Sequence, residues 1–215
     1  MSEHSKPELK ISVISDYICP FCFIGHRRLN SLRHEFDLKI NWCLVEIHPD
    51  TPLEGQPVTL LNYTDDAWNS LLSNLRLLAR EENIQLSEYT TCANSRKALL
   101  LAEWAKSLGA EYFYPLHERL FEACFVDGLN IGDEQVLRTL AADCDIPNSV
   151  ISDAWNDPYA NGPAESIPQP LLPYLQYAAA IQASSVPTFV IGKEIFTGVV
   201  DKKMLLQAAQ SLTSG

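Results

Sequence analysis

The stretch "SDYICPFCFIGHRRL", Ser15 to Leu29, decides the fold. Before it, "KISVIS" (Lys10 to Ser15) alternates β-branched and polar residues and reads as a strand. After it, Cys22, Phe23, Leu29, Leu32 and Phe36 recur at helical spacing, which predicts a helix from Pro20 to about Phe36. Cys19 and Cys22 therefore sit where a strand turns directly into a helix. "LKINWCLVEI", Leu38 to Ile47, is a second strand, and its long apolar character predicts a central position buried on both faces. Two strands joined by a helix make a βαβ unit with parallel pairing and a right-handed crossover.

Past the prolines at 49, 52 and 57 the pattern changes. Trp68, Leu71, Leu72, Leu75 and Leu78 mark one helix, Ser95 to Leu108 a second, and Phe113, Leu116, Leu120, Phe121 and Cys124 a third. Glu134 to Cys144 is a shorter fourth, so residues 61–157 read as an all-helical block whose aromatic and leucine stripes form packing core. A proline-rich crossing segment (158–173) leads to a helix at Tyr174 to Ser184. "PTFVIG" and "EIFTGV" follow as short strands about Gly192-Lys193, and a closing helix is capped by Asp201. The order is βαβ, helical block, αββα. It predicts an α/β thioredoxin-like fold in two parts, residues 1–60 and 163–215, interrupted by a helical insertion domain at 61–162.

A chain of 215 residues, 47% hydrophobic and 20% charged, can bury its own core without staples. The net charge of −11 argues against a nucleic-acid partner, because phosphate binding needs clustered Lys and Arg and only His26-Arg27-Arg28 is clustered. No apolar run approaches membrane-spanning length, and "MSEHSKPELK" lacks the layout of a secretory signal, so the expected location is the cytoplasm.

In such a compartment a close cysteine pair is a redox or metal candidate rather than a structural disulfide. Zinc would need four ligands at short spacing; no second pair exists, and His4, His26, His34, His48 and His117 are dispersed along the chain. Cys43, Cys92, Cys124 and Cys144 stand singly and read as small buried hydrophobes.

The redox reading has a physical basis. If the helix starts here, Cys19 is its N-cap and Pro20 its first residue, a position where the missing N–H costs nothing and the preceding residue is biased away from helical dihedrals. A sulfur at an N-cap faces free N–H groups and the positive end of the helix dipole, which favour thiolate over thiol. Cys19 is thus the attacking thiol and Cys22, one turn in and nearer the core, the resolving one. Phe21 is neutral and offers the thiolate no cationic help. Asp16, if ionised nearby, would oppose the Cys19 thiolate or serve as a proton acceptor for Cys22, and it reads equally as a solvated turn residue; His26 reads as a surface residue.

"DYICPFCFIGHRRL", together with "EIHPDTPLEG", "NSRKALLLAEWAKSLG", "LFEACFVDGLNIGDEQVLRTLAAD" and "SVPTFVIGKEIFTGVVDKKMLLQAA", resembles the cytosolic DsbA-like thioredoxin family of FrnE-type dithiol oxidoreductases, from about Lys10 to Gln210. The resemblance implies a catalytic pair at Cys19 and Cys22. It also implies a cis-proline loop at Val186-Pro187 facing that pair, and a substrate-binding surface made of Pro20, Phe21, Val186 and Pro187. Family members often carry Trp where this chain has Phe21. A neighbouring branch, the kappa-class glutathione transferases and 2-hydroxychromene-2-carboxylate isomerases, is similar at Asn94-Ser95 and "VPTFV" but typically has serine in place of the first cysteine.

The expected function is protein dithiol–disulfide exchange or isomerisation, with protein or small-molecule thiols and disulfides as partners. No cofactor and no metal are expected beyond glutathione as a reductant. A homodimer is compatible with the apolar faces of the insertion, though no stripe singles one out. Two other readings stay open: a glutathione-dependent transferase or isomerase acting on a small aromatic molecule, and a non-catalytic binder of unfolded chains.

Overall fold

The computed structural model describes residues 6–213. In chain order the elements are β1 (Glu8–Ser15), α1 (Pro20–Asn30), β2 (Asp37–Leu44), β3 (Gln56–Pro57), α2 (Asp65–Glu81), β4 (Thr91–Cys92), α3 (Arg96–Lys106) and α4 (Ala110–Phe125). They continue with α5 (Glu134–Asp143), α6 (Asn148–Trp155), α7 (Leu172–Ala180), β5 (Thr188–Ile191), β6 (Glu194–Thr197) and α8 (Lys202–Thr213). β1 and β2 pair in parallel across α1, β5 runs antiparallel to β1, and β6 antiparallel to β5, giving the order β2-β1-β5-β6. This is the thioredoxin-like α/β arrangement that the element order predicts, with helices inserted between its halves.

Alternation along the strands sorts side chains between the two faces of the sheet. Leu9, Ile11 and Val13 of β1, with Leu38, Trp42 and Leu44 of β2, join a core shared with α1, α3, α4, α5, α6 and α8. Ile14 and Cys43, paired in register, point the other way with Val45 and meet Ala178 of α7. α7 covers only that end of the sheet.

The structure corrects the expectation for the second strand. β2 is an edge strand, and only Trp42, Cys43 and Leu44 at its end are continuously buried, because no helix covers the far half of its second face. It also stops at Leu44, and Ile47 leaves the sheet for another partner described below. The first helix is shorter than predicted: α1 ends at Asn30, and Ser31–His34 tightens into a 3-10 turn.

The middle block is not wholly helical, since β3 and β4 form a short antiparallel ladder that anchors the two ends of the α2 excursion. Nor is every leucine stripe core. In α2 only Leu75 and Ala79 are buried, while Trp68, Leu71, Leu72 and Leu78 remain half-exposed. α2 is fastened through Arg28 of α1, whose buried guanidinium donates to Glu81 at 2.6 Å, Glu82 at 3.1 Å and the Val200 carbonyl at 3.0 Å.

β5 and β6 turn at Gly192-Lys193, as expected from sequence; the turn needs a positive φ, here 61° at Gly192, which glycine adopts without strain. Asp201 caps α8 by accepting from the Lys203 N–H at 2.7 Å.

Candidate active site

β1 ends at Ser15 and α1 begins at Pro20, so Asp16 to Cys19 form a tight connection closed by the Cys19 N–H bonding to the Asp16 carbonyl at 3.2 Å. Cys19 is the N-cap, with extended dihedrals (φ −93°, ψ 110°), and Pro20 occupies the first helical position. The Cys22 and Phe23 N–H groups donate back to the Cys19 carbonyl at 3.0 and 3.3 Å. Cys22 therefore stands one turn in, behind Cys19. Cys19 is 6% exposed and Cys22 1%, so of the two sulfurs Cys19 is the more accessible.

Burial holds the Cys22 thiol well above the usual cysteine range, and the adjacent Cys19 sulfur raises it further; the Asp16 backbone and the Ser15 side chain work against the rise. Cys22 is thus a thiol that keeps its proton.

The second wall of the site comes from the far end of the chain. Pairing of Ile14 with Thr188 brings the segment before β5 beside the end of β1. There the Val186–Pro187 peptide is cis, and the Val186 carbonyl lies 3.7 Å from the Cys19 sulfur. The loop is pinned on both sides, by the Thr188 hydroxyl donating to the Ser185 carbonyl at 2.7 Å and by the Gly198 N–H donating to the Pro187 carbonyl at 2.8 Å. Gly25 of α1 lets helix and loop approach. A Cβ there would lie 2.8 Å from Phe189 Cζ and 3.3 Å from Pro187 Cγ, so any side chain would force them apart.

Asp16 is neither solvated nor idle. Its carboxyl is fully buried, with Oδ2 accepting from the Ile47 N–H at 2.8 Å and the Ser95 hydroxyl at 3.1 Å, and Oδ1 from the Ile18 N–H at 3.3 Å. It joins the active loop to the chain leaving β2 and to the start of α3. Burial raises its pKa from 3.8 to about 7 against the pull of those three donors, and nearby Glu46 adds to the rise. The carboxyl partners are these donors and not the Cys22 sulfur; what faces Cys22 is the Asp16 backbone.

Other expectations are also revised. His26 is 2% exposed, not a surface residue, because α4 covers that side of α1. Its ring lies 4.9 Å from that of His117 and 5.6 Å from that of Trp42, and burial lowers its pKa to about 3, with Arg27 and Arg33 contributing. Two histidines that are distant in sequence thus meet in space, both kept neutral by burial. His4 lies outside the described residues. Cys43, Cys92 and Cys124 are buried as predicted, while Cys144 is only half-buried; burial raises all four thiols, Cys43 to about 11.

Phe21, half-buried between the two cysteines, packs against the cluster of Ile24, Leu75 and Ala79, which ties the redox turn to α2.

Three further residues support the site, and the first two, Tyr17 and Tyr89, carry no local signal. Tyr17 is fully buried and its hydroxyl meets His117 Nδ1 at 2.7 Å, bonding the active loop to α4. Tyr89 donates to the Ile18 carbonyl at 3.2 Å, one residue before Cys19. Arg96, 3% exposed, pairs with Glu46 at 3.0 Å and donates to the carbonyls of Tyr159, Gly162, Pro163 and Ala164 at 2.9 to 3.5 Å. That fan fixes the proline-rich return segment. The "NSRK" motif was the available clue to it.

The family described as "DSBA-like thioredoxin domain" matches residues 10–210. The chain is 25% identical over 202 residues to the uncharacterized protein YwbO of Bacillus subtilis (strain 168), covering 92% of this chain and 94% of that protein. Among solved structures, the probable DsbA oxidoreductase SCO1869 from Streptomyces coelicolor superposes with a TM-score of 0.79 at 18% identity, covering 94% of this chain and 89% of the other. The cytosolic disulfide reductase DsbM from Pseudomonas aeruginosa gives a TM-score of 0.64 at 16% identity over 96% of each chain, and it has also been solved with GSH. At these identities the two structures speak to the fold.

Proposed function

Because the chain belongs to the DSBA-like thioredoxin domain family, and is a thiol–disulfide oxidoreductase of that type, we propose that Cys19 and Cys22 are its working pair. Cys19 is the nucleophile and Cys22 the resolving thiol. The observation that carries this reading is the position of the Cys19 sulfur: at a helix N-cap, 3.7 Å from the Val186 carbonyl, with the Cys22 thiol behind it.

The Cys19 thiolate attacks one sulfur of a substrate disulfide. The S–S bond breaks, the departing sulfur leaves as a thiolate that takes a proton from water, and Cys19 is left in a mixed disulfide. Cys22 then attacks the Cys19 sulfur, its proton passing to the substrate sulfur that departs. The Cys19–Cys22 disulfide forms, and the second substrate sulfur leaves reduced. Two electrons pass from the pair to the substrate. Burial keeps Cys22 a protonated thiol, so Cys19 is the sulfur that attacks first. The half-buried Phe21 and Val186 offer the surface on which the substrate lies, backed by the buried Pro20 and Pro187, with the Val186 backbone as an edge for an extended chain.

Two glutathione thiols, converted to glutathione disulfide, return the pair to its reduced form; a DsbM structure with GSH supports this choice of reductant. The proposed setting is the cytoplasm. No helix among the described residues is long and apolar enough to cross a membrane. A cytosolic glutathione poise of about −220 to −320 mV keeps such a pair reduced, which favours reduction or isomerisation over net oxidation. Insulin reduction driven by glutathione tests the proposal: Cys19→Ser abolishes turnover, and wild-type rates in that variant would refute the dithiol mechanism.

A further inference from the structure

α2 and the irregular segment 84–90 enclose a groove of about 690 Å³ walled by Trp68, Leu72, Leu75, Leu86, Tyr89 and Phe125. It is continuous with the redox turn in two places. Tyr89 lines the groove and bonds the Ile18 carbonyl, one residue before Cys19. Leu75 and Ala79 line it and belong to the cluster on which Phe21 packs.

Two exposed arginines, Arg76 and Arg80, also line the groove, one helical turn apart on α2. Like charges at that spacing disfavour a helix. Among the described residues, every other arginine is engaged. Arg27, Arg28, Arg96, Arg119 and Arg138 each face a carboxylate, and Arg33 lies over the Tyr114 ring. Among the described residues Arg76 and Arg80 have no ion pair or side-chain hydrogen bond, in a chain where acids outnumber bases by 27 to 16. Glu88 is the one carboxylate lining the groove beside them.

We propose that this groove docks the acidic flank of a protein disulfide substrate: an extended segment carrying apolar side chains and carboxylates, close to the reactive cysteine. The aromatic and leucine walls take the apolar side chains, and Arg76 and Arg80 take the carboxylates. Glutathione, small and polar, would leave those walls uncovered. The inference rests on the dithiol reading and adds a substrate preference to it.

Binding can be read without chemistry. In the Cys19→Ser/Cys22→Ser chain, fluorescence anisotropy is measured with two labelled peptides of leucine-rich sequence, one bearing aspartates and one lysines, each with serine replacing its cysteine. The aspartate peptide binds tighter by about tenfold at low salt, and the preference shrinks as salt rises. Adding Arg76→Glu/Arg80→Glu reverses the preference, and Arg76→Lys/Arg80→Lys keeps it. Equal binding of the two peptides, or an aspartate preference that survives charge reversal, overturns the proposal. So does displacement of the aspartate peptide by an equal concentration of glutathione disulfide, which would assign the arginines to that small ligand. Because the thiols are absent, a missing charge preference counts against the groove alone, and inactivity of the wild type in insulin reduction counts against the dithiol reading.

Discussion

Replacing Asp16 with Asn should remove the pH dependence that this carboxyl gives to stability. In the folded chain burial lifts this carboxyl from 3.8 to about 7, so the native state keeps a proton that the unfolded state has released. For an acid with a raised folded pKa, the stabilising contribution is complete below the unfolded pKa and is lost as pH rises through the folded one. At about 1.4 kcal/mol per pKa unit the whole window is about 4 kcal/mol, of which about 2 kcal/mol falls between pH 5.5 and 8. Asn does not titrate and forgoes that change. Its amide cannot serve all three donors that Asp16 receives, which costs about 1–3 kcal/mol at every pH. Urea unfolding of both proteins, reduced, at pH 5.5, 6.5, 7.5 and 8 reads the difference. Whichever protein is the more stable at pH 5.5, the variant gains on the wild type by about 2 kcal/mol across the series. A difference that stays constant within about 0.5 kcal/mol, or that moves in the wild type's favour as pH rises, would refute the assignment of a buried, proton-holding Asp16.

Other perturbations follow from the packing. Gly25→Ala places a methyl against Phe189 and Pro187; it should lower stability by about 1–3 kcal/mol and slow reduction of hydroxyethyl disulfide by moving the proline loop off Cys19. Arg96→Lys keeps the charge but loses the planar fork that reaches four carbonyls, so stability should fall by about 2 kcal/mol or more, and hydrogen exchange should accelerate across residues 159–166. Tyr17→Phe strands His117 Nδ1 in a buried site, a loss of about 1–3 kcal/mol in urea unfolding, with circular dichroism unchanged.

The strand-to-helix junction was legible because its signals are local. Proline after Cys19, alternation before it and helical spacing after it all act within a few residues, and the structure has Cys19 as N-cap with Pro20 following. The same holds for the Gly192-Lys193 turn and the Asp201 cap. What the sequence hid depends on which distant element lands on a face. Leu38 to Ile47 reads as the more continuously apolar strand and Lys10 to Ser15 as an alternating one, yet β2 lies at the edge and β1 inside, since strand order is set by where β5 returns. His26 has the spacing of a surface residue, and only the docking of α4, about 90 positions later, buries it. Asp16 resembled a turn residue because its partners, Ile47 and Ser95, are 31 and 79 positions away. The α2 stripe looked like core by spacing alone, yet it is largely uncovered and forms a groove wall.

The central claim is that Cys19 receives the substrate sulfur and Cys22 releases it. Incubating the reduced Cys22→Ser chain with a disulfide-bonded protein substrate, then mapping adducts by mass spectrometry without reductant, distinguishes the two roles. One stable mixed disulfide per chain is expected, located on Cys19 and absent from the Cys19→Ser/Cys22→Ser control. An adduct that maps instead to Cys43, Cys92, Cys124 or Cys144, or that forms equally in the control, would contradict it.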